Sequence, residues 1–174
     1  QNIKFTHYND NNGLSHNSVR HIVQDKKGFL WLGTFSGLNR FDGYQFKNYM
    51  SSSASANKLY NDDITALELD EESNNLWIGT QSGLNVINLN DFDNNNYHIK
   101  HYFFDSKLLS GDDILSLFQD KKGKIWIGTK AKGLYNFDGA NTISKSTVGE
   151  SDQALSPQKL LSGNYDKDFN FKLL

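Results

Sequence analysis

One stretch occurs three times, and that repetition limits the possible folds more than any other feature. It reads GFLWLGTFSGLNRFD at Gly28 to Asp42, NLWIGTQSGLNVIN at Asn75 to Asn88, and GKIWIGTKAKGLYNFD at Gly123 to Asp138. The tryptophans stand at 31, 77 and 126, so the copies are 46 and then 49 residues apart. Self-similarity at a fixed period of about 40–50 residues belongs to solenoids, propellers and arrays, in which one supersecondary unit is stacked on the next.

Each copy reads as two short strands joined by a turn. Phe29-Leu30-Trp31-Leu32 is a continuous apolar run of strand length, suited to a strand packed on both faces. Gly33-Thr34 ends it and Phe35-Ser36-Gly37 turns the chain. Gly37 recurs as Gly83 and Gly133, a pattern expected where the backbone must take a positive φ. The next strand is Leu38-Asn39-Arg40-Phe41, closed by the hairpin signal Asp42-Gly43, with Asp138-Gly139 in the third copy.

Upstream of each tryptophan strand lies another strand: Ser18 to Asp25, Ile64 to Asp70 and Ile114 to Asp120. Each ends in an aspartate, and a short polar turn follows it. Asp25, Asp70 and Asp120 are expected to cap these turns, because an aspartate side chain can accept hydrogen bonds from the backbone just after it. A fourth, more polar strand follows each copy, at Tyr44 to Tyr49, at Ile99 to Phe104 and at Thr142 to Thr147. Four antiparallel strands in one repeat make a propeller blade, and no segment is left over for helices.

The fold class is therefore all-β: a partial β-propeller with three four-stranded blades and an extra N-terminal strand. The organisation expected is a lone outer strand and loop over residues 1–13 and blades over 14–50, 51–104 and 105–147. Residues 148–174 are left as a degenerate fourth blade or a poorly ordered tail. The lone strand, Ile3 to Tyr8, resembles the last strand of a blade whose other strands are missing from this end. Such a strand belongs to a ring closed by mixing strands from the two ends of a chain. Phe169 to Leu174 is read as a strand of the unfinished fourth blade. Asp10-Asn11-Asn12-Gly13 has the look of a calcium loop but lacks the other ligands and the closing glutamate, so it is read as a turn.

Composition narrows the function. The 174 residues are 13% aromatic, with 14 glycines, one proline and no cysteine. That profile excludes a disulfide framework, a thiolate nucleophile and a cysteine metal site. A formal net charge of −2 offers no basic footprint for nucleic acid. No apolar run reaches the roughly 18 residues of a membrane helix. The chain begins at Gln1 without a leader, which says nothing about export. His98 and His101 are three apart and face opposite sides of a strand, so they form no metal site, and no cofactor is expected.

The spacing Asp-x-x-Gly-x-(Leu/Ile)-Trp-(Ile/Leu)-Gly-Thr-x-x-Gly-Leu resembles the two-component regulator propeller repeat. Gln24 to Phe41 and Gln119 to Phe137 carry it in full, and Leu69 to Ile87 carries it with Asn74-Asn75 in place of the usual glycine. The resemblance covers about residues 14–147. It implies a piece of the periplasmic sensor region of a Bacteroidetes-type hybrid two-component system. There, paired propellers sense oligosaccharides and a membrane helix leads to a histidine kinase. No kinase, receiver or DNA-binding segment lies in these residues.

The candidate ligand residues are in the loops that lead into each innermost strand and the loops between the second and third strands. The first set is Asn17-Ser18, Asn61-Asp62-Asp63 and Gly111-Asp112-Asp113; the second is Phe35-Ser36, Gln81-Ser82 and Lys130-Ala131-Lys132. Both sets converge on one mouth of a propeller channel, and both vary while the frame stays fixed. Their carboxylates and amides, with a nearby aromatic, suit sugar hydroxyls. Trp31, Trp77 and Trp126 are instead expected between blades, with Gly37, Gly83 and Gly133 as frame.

The function expected is non-catalytic ligand sensing. A glycan lyase or glycosidase is the alternative, but it calls for an acid/base pair standing outside the repeat pattern. A protein-interaction propeller is the other. Propellers close with 4–8 blades, so a three-bladed arc is expected to self-associate. Two chains at roughly 48 residues per unit give about seven blades, hence a homodimer.

Overall fold

The computed structural model describes residues 3–53, 57–92, 97–102, 113–137, 142–145 and 170–173. Among these there is no α-helix, only a short 3-10 turn at Asp10–Asn12 capped by Asn9. The strands fall into three sheets in chain order. The first joins β1 (Val19–Gln24), β2 (Leu30–Thr34), β3 (Gly37–Phe41) and β4 (Phe46–Tyr49). The second joins β5 (Ile64–Asp70), β6 (Asn75–Thr80), β7 (Gly83–Asn88) and β8 (Ile99–Tyr102). The third joins β9 (Ile114–Gln119), β10 (Ile125–Thr129), β11 (Leu134–Phe137) and β12 (Thr142–Lys145), with β13 (Asn170–Leu173) on its edge. Each sheet is an antiparallel meander of four neighbouring strands, which is a propeller blade; the pairing of β13 with β12 alone is parallel.

The motif residues show why each meander forms. The threonine that ends the tryptophan strand locks the next turn: Thr34 Oγ1 donates to the Gly37 carbonyl at 2.9 Å and accepts from the Ser36 N–H at 3.0 Å. Thr80 does the same with Gly83 and Ser82, and Thr129 with Gly133 and Lys132. The glycines closing these turns have φ of 103°, 117° and 80°, a region that a side chain would strain.

The sheets stack face to face. Between the first and second, Trp31, Leu38 and Tyr49 meet Ile64, Leu76 and Ile78. Between the second and third, Trp77, Leu84 and Tyr102 meet Ile114, Ile125 and Ile127. Glycine sets the spacing of both seams. A Cβ on Gly33 would lie 2.6 Å from Cγ2 of Ile64, and one on Gly79 would lie 2.6 Å from Cγ2 of Ile114. The isoleucine that opens each innermost strand therefore sits on the bare backbone of the preceding tryptophan strand.

Two expectations are corrected. Residues 3–8 form no strand and pair with no sheet; Ile3 and Phe5 are 80% and 88% exposed. Only Tyr8 is held, edge-on to Phe41 and Phe46. The segment leads instead into the capped turn at Asp10–Asn12, and the fourth place in each sheet is filled by β4, β8 or β12. The second correction concerns the tail strand: Asn170–Leu173 extends the third sheet and does not start a fourth. Residues 148–169, the Asp138-Gly139 turn and Phe103-Phe104 lie outside the described residues.

Candidate functional site

The turn-capping aspartates do more than the sequence suggests. Asp25 Oδ1 accepts from the N–H groups of Lys27 and Phe29, while Oδ2 accepts from the indole Nε1 of Trp31 at 2.8 Å. Asp120 repeats this with Lys122, Lys124 and Trp126, the last at 2.9 Å. In the second copy one extra residue separates aspartate from tryptophan. Asn74 takes the left-handed conformation at φ 56°, and Asp70 bonds Ser73 and Gln119 instead. Trp77 Nε1 is then buried with no partner among the described residues. Trp31 and Trp77 lie in the seams, 0% and 1% exposed, with no face open to a ligand, and Trp126 is half-buried.

The opposite ends of the sheets carry the variable loops, and hydrogen bonds gather them. The Gly37 N–H donates to the Asp62 carbonyl at 2.7 Å, the Gln81 N–H to the Asp63 carbonyl at 3.2 Å, and Asn61 Nδ2 to Ser82 Oγ at 3.1 Å. Buried asparagines on the third strands hold the approach to this end. Asn39 bonds both the N–H and the hydroxyl of Ser15, and Asn85 accepts from the Tyr60 N–H. Asn85 also bonds His101, whose ring is kept below its ordinary pKa by burial.

The innermost strands share an irregularity that periodicity does not show. The register shifts between Val19 and His21, between Ile64 and Ala66, and between Ile114 and Ser116, leaving Arg20, Thr65 and Leu115 at a bulge in each blade. Bulges re-aim a side chain out of the ladder and are frequent beside binding sites. Here Arg20 lies with its guanidinium carbon 3.5 Å from the centre of the Phe35 ring, and its Nη1 donates to Asp63 Oδ1 at 2.6 Å. The His16 ring meets Phe35 edge-on at 5.7 Å. His16 Nδ1 accepts from the Ser18 N–H at 2.9 Å, so the neutral ring carries its proton on Nε2.

The other predicted residues are placed as follows. Asn17 Oδ1 accepts from the Asp10 N–H at the rim. The Asp62 carboxylate is taken up by Ser51, accepting from its N–H at 2.6 Å and its hydroxyl at 2.9 Å. The Gln81 side chain is exposed. Lys130 pairs with Asp113 at 3.0 Å in the third blade, with Lys132 half-buried in the same turn. Asp112 lies outside the described residues. Asp62, Asp63 and Asp113 thus each have a partner, and none stands as an unpaired base. Arg20 was not among the predicted residues, although Arg20, Thr65 and Leu115 vary at one position of a constant frame, which is the signal that marks it. A cavity of about 220 Å³ lies at the far end, bordered by Asn75, Asn88, His98 and Phe137.

Comparison with known proteins agrees with this frame. The two component regulator propeller family matches at residues 13–36 and 108–131. The chain is 40% identical over 126 residues to Histidine kinase P4 of Formosa agariphila, a match covering 70% of this chain and 9% of that protein. It is similar to the extracellular domain of a hybrid two component system from B. thetaiotaomicron, with a TM-score of 0.67 and 28% identity over 78% of this chain and 19% of that one. A second such domain from the same organism matches with a TM-score of 0.55 and 28% identity, over 71% of this chain and 17% of the other. The chain therefore spans under a fifth of the length of each of these proteins. Three tandem tryptophan-strand blades and this likeness in fold agree with the family match: the chain carries two component regulator propeller repeats at residues 13–36 and 108–131.

Proposed function

We propose that this chain is part of the ligand-sensing region of a hybrid two-component system, that it works in the periplasm, and that it recognises an oligosaccharide without turning it over. The signal would pass to a histidine kinase outside these residues. The observation that carries this reading is the Arg20 guanidinium set over the Phe35 ring and paired with Asp63 at the loop end of the first two blades. An aromatic ring beside fixed planar donors suits a sugar, whose C–H face packs on the ring while its hydroxyls or carboxylate take the donors. The neutral His16 ring adds an Nε2–H donor to the same cluster. The similarity to extracellular domains of hybrid two component systems supports the placement.

A thermal-shift screen of polysaccharide fragments tests it, because selective binding to the folded state raises Tm. At least one fragment should raise Tm for the unaltered chain. Phe35→Ala and Arg20→Gln should each abolish that rise, with little change in the Tm of the unliganded protein. A rise that survives both substitutions puts the site elsewhere, and cleavage of the fragment replaces sensing with catalysis.

A further inference from the structure

The rim of the first seam holds a cluster that the second seam does not repeat. Asp63 and Asp113 stand at one position, just before the isoleucine that opens each innermost strand. Asp113 is met by Lys130 of its own blade, whereas Asp63 is met by Arg20 of the blade before it. Thr65 and Leu115 stand where Arg20 stands, and Gln81 and Lys130 stand where Phe35 stands. Among the described residues, a guanidinium, a carboxylate and an aromatic ring thus come together at one seam.

Arg20 and Asp63 are joined through one atom of each. Nη1 donates to Oδ1 at 2.6 Å and lies 3.5 Å from the Ile64 carbonyl oxygen. Arg20 Nε and Nη2 and Asp63 Oδ2 make no hydrogen bond to any described residue. A guanidinium has five N–H donors and a carboxylate accepts at both oxygens, so donors and an acceptor stay idle side by side. The Asp63 main chain is pinned, its N–H donating to Asn61 Oδ1 at 2.8 Å and its carbonyl accepting from the Gln81 N–H. The Arg20 and Asp63 side chains keep 27% and 18% of their surface exposed, and Phe35 keeps 45%, so a ligand can reach them.

We infer that this pair recognises two neighbouring hydroxyls of an uncharged sugar and turns away uronate and sulfate groups. The inference rests on the sensing reading above and names the class of sugar. A hydroxyl both donates and accepts. One hydroxyl of a vicinal pair gives its proton to Asp63 Oδ2, and its neighbour accepts from Arg20 Nη2 or Nε. Such a ligand leaves the ion pair intact. An anionic group on the same donors would lie beside the Asp63 carboxylate. In a site largely withdrawn from water that like-charge contact is weakly screened, and the neutralised pair has no net charge to offset it.

The sequence has two arginines, so the side-chain Nε–H region of a proton–nitrogen NMR spectrum reports on Arg20 with Arg40 as the control. Acetate and sulfate at millimolar concentration should leave the Arg20 signal in place in the unaltered chain. They should move it in Asp63→Asn, which keeps the contact to Arg20 through its amide oxygen. Neutral hexose tetrasaccharides and their hexuronic counterparts are then compared by thermal shift and by the same signal. A neutral member should raise Tm and move the Arg20 signal, with its uronic counterpart weaker by about tenfold or more. Asp63→Asn should weaken the neutral sugar by about tenfold or more, through loss of a hydrogen bond to a charged group, and should admit the uronic one.

Acetate or sulfate moving the Arg20 signal of the unaltered chain overturns the inference. So does a uronic sugar that binds as well as the neutral one, or a neutral sugar that binds Asp63→Asn undiminished. A sugar that raises Tm without moving the Arg20 signal overturns it too, while sensing survives at another place. If neither series raises Tm, the sensing reading falls and this inference falls with it.

Discussion

Trp31 and Trp77 occupy the same position in neighbouring blades and are equally buried, yet only one has a partner for its indole N–H. Trp31 bonds Asp25, which also caps the turn leading to it, so turn and seam are tied through one carboxylate. Trp77 meets Tyr102 and Phe137, and its N–H goes unpaired because a single added residue swings Asp70 towards Ser73 and Gln119. The difference separates two roles that the repeat merges. Packing keeps the tryptophan in the seam, and the aspartate couples that packing to the hairpin. A seam survives the loss of the second but not of the first.

The largest effect should come from removing the packing. Trp77→Ala and Trp31→Ala should each cost about 3–5 kcal/mol in urea unfolding, the usual range for truncating a buried aromatic. A loss below about 1 kcal/mol at Trp77 would show that the orphaned indole had already given up its place in the core. Closing the approach between sheets comes next. Gly79→Val should destabilise by about 1–3 kcal/mol by overpacking against Ile114. Full stability in that variant would mean that the seam has slack.

The comparison is sharpest at the aspartates. Asp25→Ala leaves a buried indole N–H unpaired and should cost about 1–3 kcal/mol. Asp70→Ala, which orphans no indole, should cost less. Equal losses would reduce the Asp25 role to turn capping.

The smallest effect is in acid. The Trp126 indole, with the Lys122 and Lys124 amides, holds the Asp120 carboxyl below the usual carboxylate range. A lowered folded pKa means that the unfolded chain binds the proton first as pH falls. The Asp120 contribution is therefore complete above the unfolded value of about 3.9 and is lost as pH falls through the folded value. Carboxyl NMR of Trp126→Phe should show the Asp120 pKa moving up. No movement would mean that the backbone amides alone set it.

Much of the frame was legible in the sequence because it rests on local rules. Gly37, Gly83 and Gly133 mark positive φ, the tryptophan runs mark strands enclosed on both faces, and the terminal aspartates mark turns. What was not legible depends on partners distant in the chain. Ile3 to Tyr8 has strand composition, but composition does not say which backbone would pair with it, and none of the described strands does. The bulge at Arg20 changes no apolar count, so periodicity passes over it. Asp62 and Asp63 look alike in sequence, yet one turns to Ser51 and the other to Arg20, which the loop path alone decides.

The threonine lock has a consequence for how such a molecule can change. Because Thr34, Thr80 and Thr129 each bond the carbonyl of the closing glycine, the residues between are a cassette held at both ends by the same two atoms. The third copy has three residues in that cassette where the others have two, and its lock is still made, at 2.8 Å. Length and chemistry at the rim can therefore be rewritten one blade at a time, while the seams that carry stability receive no signal that anything has changed.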